Sequence, residues 1–259
     1  MHRFTLPLFS LALFPACASS TEKEDHADQG DEIVGGVPAA ADSAVLPILE
    51  DDPADPRFGI FHCTGTLVSP RVVLTAGHCV KNGSTFHVGV GGMPKAQNTS
   101  NGPRYFMAGM PRAAMDLPPG FTLERLDLGD IAFAVLEKAV TNITPRAYRL
   151  AAMGPSDVGA TVRLVGFGRQ DNGTYGQRNQ TLNTITRITP TTFFAERVDG
   201  ARAGTCRGDS GGPAFMAVAG VEVIVGITSN GPEDCSGGAN YLRVDAFATL
   251  IDEALAAYR

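Results

Sequence analysis

The run Thr205-Cys206-Arg207-Gly208-Asp209-Ser210-Gly211-Gly212-Pro213 decides how the rest of the chain is read. A serine hydroxyl is a weak nucleophile unless a base takes its proton and donors stabilise the oxyanion that forms. Glycines suit a tight loop whose N–H groups point inward, because no Cβ blocks the approach or forbids positive φ. Gly-Asp-Ser alone would pass for an ordinary turn. The full run behind a cysteine marks Ser210 as a candidate nucleophile and sends the search outward for a base and a carboxylate.

Five histidines compete for the base. His2 lies in an apolar leader and His26 in an acidic segment. His87 sits in a strand-like run with no special neighbours and is read as exposed. His62 and His78 each precede a cysteine. Leu74-Thr75-Ala76-Gly77-His78-Cys79 closes an apolar strand with small residues, which places His78 at a strand end. For the carboxylate, Gly129-Asp130-Ile131-Ala132 sets an acid at the mouth of a strongly apolar strand, where a buried acid needs a partner. Of the five cysteines, Cys17 belongs to the leader, leaving Cys63, Cys79, Cys206 and Cys235. An even number in an exported chain argues for two disulfides, with three pairings open. The spacing of His62-Cys63 and His78-Cys79 matches no common structural zinc pattern, so no metal is expected.

Export is read from residues 1–18. His2-Arg3 precedes the apolar run Phe4 to Phe14, and Ala16-Cys17-Ala18 offers a small-residue cleavage site. The apolar run is too short to span a bilayer, and Pro7 and Pro15 would break a buried helix. Phe14-Pro15-Ala16-Cys17 also resembles a bacterial lipobox, and lipid on Cys17 would be the one route to a membrane. Residues 19–32 form an acidic segment that cannot order itself. Residues 1–32 carry Arg3 and Lys23 against six acids, a net −4 of the chain's −6, which leaves −2 for residues 33–259. There is no basic excess to attract nucleic acid.

Beyond residue 33, short apolar runs alternate with turn signals. Thr66–Val68, Val72–Thr75, Phe86–Val90, Ile131–Leu136 and Val162–Phe167 read as strands, and Pro213–Val218 with Val221–Thr228 as a hairpin about Ala219-Gly220. Lys95–Tyr105 and Arg169–Arg178 read as exposed loops, and the sequons at Asn82, Asn98, Asn142, Asn172 and Asn179 as polar loops. Val244, Phe247, Leu250, Ile251, Ala254, Leu255 and Tyr258 fall three or four apart, predicting one terminal helix packed back on the strands.

LTAGHC (74–79), DIA (130–132) and CRGDSGGP (206–213), in that order with IVGG (33–36) ahead of them, resemble the chymotrypsin/trypsin-like serine peptidases. GTLVSPRVVLTAGHC (65–79), GFG (166–168) and ITSNG (227–231) match further landmarks of that family. The resemblance covers nearly everything from Ile33 onward. It implies an all-β fold of two antiparallel barrels with the site in the cleft between them and a C-terminal helix, the N-terminal barrel at about 33–145 and the C-terminal one at about 146–259. It implies that Ser210 attacks the carbonyl, His78 shuttles the proton, Asp130 orients His78, and the N–H groups of Gly208 and Ser210 form the oxyanion hole. It pairs Cys63 with Cys79 and Cys206 with Cys235, and needs no cofactor. It makes the chain a zymogen, in which a cut after Glu32 frees an Ile33 amine to pair with Asp209. Together with the lipobox-like leader it suggests a bacterial secreted member, acting as a monomer on protein or peptide substrates.

The departures from the family pattern bear on specificity. There is no tryptophan, so the usual Ser-Trp-Gly substrate segment reads Ser229-Asn230-Gly231. Backbone pairing with an extended peptide survives that change. Glu32 replaces the usual Arg or Lys before IVGG, so the activating peptidase is expected to cut after an acid. The position that forms the floor of the family's primary pocket is Gly204, with no charge for a cation, and Ala239 narrows the facing wall. Small to medium uncharged residues (Ala, Val, Leu, Met) are therefore expected before the cut, and Arg207 would favour an acid near the pocket mouth. The alternative is an inactive homologue serving as a binding module, which would ordinarily lack one of His78, Asp130 and Ser210. All three are present.

Overall fold

The computed structural model describes Ile33 and residues 36–80, 84–100, 102–170, 173–198 and 204–259. The leader, the acidic segment with Glu32, Val34-Gly35, Asn82 and Asn172 lie outside the described residues. Strands come first as β1 (Val37–Pro38), β2 (Val45–Asp51), β3 (Phe58–Leu67), β4 (Val72–Thr75), β5 (Phe86–Val88), β6 (Ala96–Thr99), β7 (Gly102–Phe106), β8 (Arg112–Asp116) and β9 (Ala132–Leu136). Then come β10 (Thr161–Gly166), β11 (Asn179–Ile188), β12 (Thr192–Glu196), β13 (Pro213–Val218), β14 (Val221–Asn230) and β15 (Ala239–Arg243), followed by the helix α1 (Ala248–Ala257).

These strands close into two antiparallel barrels. The first runs β2-β5-β8-β9-β4-β3 and returns to β2, with the β7–β6 hairpin hung on β3. The second runs β11-β10-β13-β14-β15-β12 and returns to β11, with β1 added outside β11. Closure leaves no open edge on either six-stranded ring. Register shifts at Ile48/Leu49, Ile185/Arg187, Ala214/Phe215 and Thr228/Asn230 bend the strands where the rings turn. The termini are exchanged between the barrels. β1 leaves the N-terminal half to pair with β11, and α1 leaves the C-terminal half to pack on the first barrel.

The packing of α1 follows from its stripe. Ile251 and Ala254 are buried in the same apolar cluster as Val72, Ile131 and Phe133 of the first barrel. Tyr258 donates its hydroxyl to Asp116 at 2.9 Å, and Tyr148 bonds Asp252. The helix is shorter than its stripe, because Asp245–Phe247 form a 3₁₀ turn before it. That cluster also takes in Val165, Phe167, Phe215 and Leu242, so one apolar body joins the two barrels. A second cluster, with Val162, Leu164, Ile185, Phe193 and Tyr241, fills the interior of the C-terminal barrel.

Three expectations are corrected. Lys95–Tyr105 holds the β6–β7 hairpin, because its polar residues pair main chain to main chain while most of its side chains stay exposed. His87 is buried, at 7% exposure, because β5 is held between β2 and β8, and its Nδ1 lies 2.9 Å from Asp51. Asn179 lies in no loop: it starts β11 and is fully buried.

Ile251→Ala removes a fully buried side chain that ties α1 to the first barrel. It is expected to cost about 2–5 kcal/mol of unfolding free energy, seen as a lower urea midpoint with an unchanged slope. A midpoint equal to that of the parent would show that α1 is not part of the cooperative core.

Candidate active site

Strand pairing brings the histidine and the acid together. β4 and β9 are neighbours with Thr75 opposite Ala132, so the end of β4 meets the start of β9 at one rim of the barrel. His78 stands in the 3₁₀ turn Gly77–Cys79 just past β4, and Asp130 stands just ahead of β9. His78 Nδ1 lies 2.8 Å from Asp130 Oδ2 and 3.1 Å from Oδ1, and the His78 backbone N–H donates to Oδ1 at 2.9 Å. Asp130 has no exposed surface, whereas 24% of the His78 side chain is exposed. A carboxylate so buried must collect donors. Besides the two from His78, it takes the hydroxyl of Ser229, which reaches across from β14 of the second barrel. With a proton on Nδ1 facing the carboxylate, Nε2 of a neutral ring is left as the acceptor.

Ser210 sits on the second barrel's side of the same seam, and its loop is pinned to the first barrel through Thr64 of β3. The Thr64 N–H donates to the Ser210 carbonyl at 2.9 Å, and its hydroxyl donates to the Gly208 carbonyl at 2.9 Å while accepting the Phe167 N–H at 3.1 Å. Gly211 is required by the closeness of this seam. At φ +81° a Cβ there would stand 2.1 Å from the Thr75 hydroxyl and 2.3 Å from the Thr64 carbonyl. Gly208 has φ +93°. Among the described residues, neither the Gly208 nor the Ser210 N–H donates a hydrogen bond.

Asp209, between them, is fully buried. Its oxygens accept the N–H groups of Gly168 and Cys206, each at 2.8 Å, and among the described residues it meets no cation. Burial pushes this carboxyl up to about 7, against the pull of the two N–H groups. Gly166 and Gly168 make room for it, since a Cβ on either would overlap its side chain. Ile33 is also fully buried, in a left-handed turn with φ 52°.

A cavity of about 320 Å³ opens beside Ser210, bounded by Thr205–Arg207 on one side and Thr228–Glu233 on the other. Ser229 and Gly231 line it. Gly204 and Ala239 are buried behind its lining, with the Ala239 Cβ 3.1 Å from where a Cβ on Gly231 would stand. Arg207 and Glu233 face each other at 3.9 Å at the rim, both largely exposed. The disulfide Cys206–Cys235 ties the two walls together, and Cys63–Cys79 braces β3 against the His78 turn. Cys63, His78 and Cys79 are close enough to hold a metal, but both sulfurs are committed to that disulfide. His62 is turned to the Cys79 carbonyl at 2.9 Å.

Two functional contacts escaped the sequence reading. Ser229 was expected only along the substrate, yet its hydroxyl binds Asp130. Thr64 was not singled out at all. Nothing local separates it from Thr66, the other hydroxyl in the run Cys63-Thr64-Gly65-Thr66-Leu67.

Comparison with known proteins gives the family. A phenoloxidase-activating enzyme from Bombyx mori is 30% identical over 255 residues, covering 80% of this chain and 56% of its own length. CLIP domain-containing serine protease B4 from Anopheles gambiae is 24% identical over 236 residues, covering 79% and 64%. Chymotrypsin-like elastase family member 1 from Bos taurus is 28% identical over 225 residues, covering 75% and 79%. The chain thus spans less than two thirds of the length of the two insect relatives. All three are animal proteins and lend no support to a bacterial source. The family model described as Trypsin matches residues 33–251, from the buried Ile33 into α1, and the chain belongs to that family of chymotrypsin-like serine proteases.

Proposed function

We propose that the chain is a secreted serine endopeptidase, made as a zymogen, that cuts peptide bonds through Ser210, His78 and Asp130. The observation that carries this reading is the buried Asp130 carboxylate holding His78 Nδ1 at 2.8 Å while the Ser210 loop is bonded to the adjoining strand. His78 Nε2 takes the proton as the Ser210 hydroxyl attacks the scissile carbonyl. The Gly208 and Ser210 N–H groups receive the oxyanion, and His78 returns the proton to the leaving amine. Water then repeats the cycle on the acyl-enzyme. Substrates are proteins or peptides with a small to medium uncharged residue before the cut, which suits a cavity backed by Gly204 and Ala239. No cofactor enters this chemistry.

Residues 1–18 direct export and residues 19–32 are the propeptide, removed by a peptidase that cuts after Glu32. The new ammonium of Ile33 then turns inward to Asp209. The support for this step is a buried carboxyl that no cation among the described residues meets, on the residue next to the nucleophile. An ion pair there would order the loop that presents the oxyanion donors.

Ser210→Ala and His78→Ala are each expected to reduce turnover to near background, roughly 10⁴-fold or more, and the double variant to lose little further. Retention of a tenth of the parent rate by Ser210→Ala would end the assignment. Chain purified with the 32–33 bond intact should be nearly inactive and gain activity when cut. An active enzyme whose N-terminus is not Ile33 would refute the activation step.

A pH dependence accompanies it. In the uncut chain the folded state holds the Asp209 proton up to about pH 7, whereas the unfolded state loses it near 3.9. The unfolded state therefore binds fewer protons across that window, and stability falls as pH rises through it. Uncut Ser210→Ala protein should lose urea midpoint between pH 4.5 and 7.5, and adding Asp209→Asn or cutting after Glu32 should remove much of that loss. Identical pH profiles with and without Asp209→Asn would exclude Asp209 from this role.

A further inference from the structure

A glycine turns freely about both of its backbone bonds, so the direction of the Gly208 N–H depends on what holds the two peptide groups beside it. Gly208 has φ +93°, and a Cβ there would stand 2.4 Å from the Phe61 ring and 3.2 Å from the Gly168 Cα. A side chain is excluded at this position, and with it the usual restraint on φ. The peptide group before Gly208 is held at the Arg207 carbonyl, which accepts the Arg169 N–H at 2.8 Å. In a trans peptide the N–H points opposite to the carbonyl, so the Gly208 N–H faces away from Arg169. The peptide group after Gly208 is held at both ends. Its N–H, on Asp209, donates to the Cys206 carbonyl at 3.0 Å, and its carbonyl, on Gly208, accepts the Thr64 hydroxyl at 2.9 Å.

Thr64 supplies the one side chain among these restraints; the others run main chain to main chain. Thr64 is fully buried, and the hydroxyl that donates to Gly208 also accepts the Phe167 N–H at 3.1 Å. The next residue, Gly168, gives its own N–H to Asp209 at 2.8 Å. The Thr64 carbonyl is fixed in turn by the Thr75 hydroxyl at 2.8 Å. One hydroxyl on β3 of the first barrel thus joins the Phe167 segment of the second barrel to the loop that carries the nucleophile. Valine would keep the shape, and would leave the Gly208 carbonyl without this donor and the Phe167 N–H without this acceptor.

We propose that Thr64 is a positioning residue for catalysis, whose hydroxyl holds the Gly208 carbonyl and so sets how well the Gly208 N–H meets the oxyanion. This rests on the peptidase reading and adds to it a residue outside the triad and the nucleophile loop. The oxyanion forms only as Ser210 attacks. A misdirected Gly208 N–H therefore weakens the transition state and leaves the binding of the peptide chain as it was. A residue that served packing alone would lower the urea midpoint and leave kcat per active site unchanged.

The test uses the full chain after cutting at Glu32, with active sites counted by a fluorophosphonate label on Ser210 taken to completion. Thr64→Val and Thr64→Ser are compared with the parent on the best substrate among fluorogenic acetyl-tetrapeptides ending in Ala, Val, Leu or Met. The peptide aldehyde of the same sequence is the second probe. The Ser210 oxygen adds to its carbonyl carbon, the Ser210 proton passes to His78, and the aldehyde oxygen takes the place of the oxyanion. Thr64→Val is expected to lower kcat about 10-fold or more with KM within about twofold, and to weaken the aldehyde by a similar factor. Thr64→Ser keeps the hydroxyl and should stay within about threefold of the parent in both measurements. Should Thr64→Val fail to fold, Thr64→Ala is held to the same two measurements. A variant without the hydroxyl whose kcat and aldehyde affinity stay within about twofold of the parent would overturn the proposal, as would a loss confined to KM or one equally large in Thr64→Ser. A parent that takes no label and turns over no peptide would instead overturn the peptidase reading, and this one with it.

Discussion

A fully buried carboxylate is the constraint on which the arrangement turns. Asp130 can stay buried only while the donors around it are in place, and they come from different parts of the chain. His78 supplies its ring and main chain from the turn after β4, and Ser229 supplies a hydroxyl from β14 of the other barrel. Satisfying Asp130 therefore sets the rotamer and tautomer of His78 and also sets where the second barrel docks on the first. Breaking that docking would leave a buried charge without one of its donors, a cost of several kcal/mol in comparable settings.

The same seam explains the concentration of small and hydroxylated residues around it. Thr64 bonds both the Gly208 and Ser210 segments, and Thr75 in turn donates to the Thr64 carbonyl at 2.8 Å. Gly211 lets the loop approach to a distance that no side chain would tolerate. The helix α1 reinforces the contact, with Ile251 and Ala254 buried in the cluster that both barrels share. An apolar cluster common to both barrels supplies the area, and the hydrogen bonds of the seam supply the register.

Much of this was legible in the residues. Short apolar runs between glycines and prolines identified β4, β9, β10 and the β13–β14 hairpin, because alternation and turn chemistry are local. The two disulfides followed from the family pattern once the cysteines had been counted. What escaped was of another kind. β11 did not stand out, because a period-2 pattern is read from apolar residues and the inner positions of this strand ahead of Ile185 are Asn179, Thr181 and Asn183. His87 looked exposed because a histidine in a short strand gives no sign of Asp51 across the sheet.

By itself, then, the sequence singled out the family and the candidate residues. Ser210, His78 and Asp130 stand in motifs whose composition and order are specific, and Gly204 brings no charge at its own position. Only the tertiary structure decided what surrounds them. Ser229 meets Asp130 across 99 residues of chain, and Thr64 meets Gly208 across 144. Asn183 stands behind Gly204 only because β11 closes the barrel there. Local propensity is written residue by residue. A hydrogen-bond partner, or the lack of one, is a property of two segments brought together, and no single stretch of chain records it.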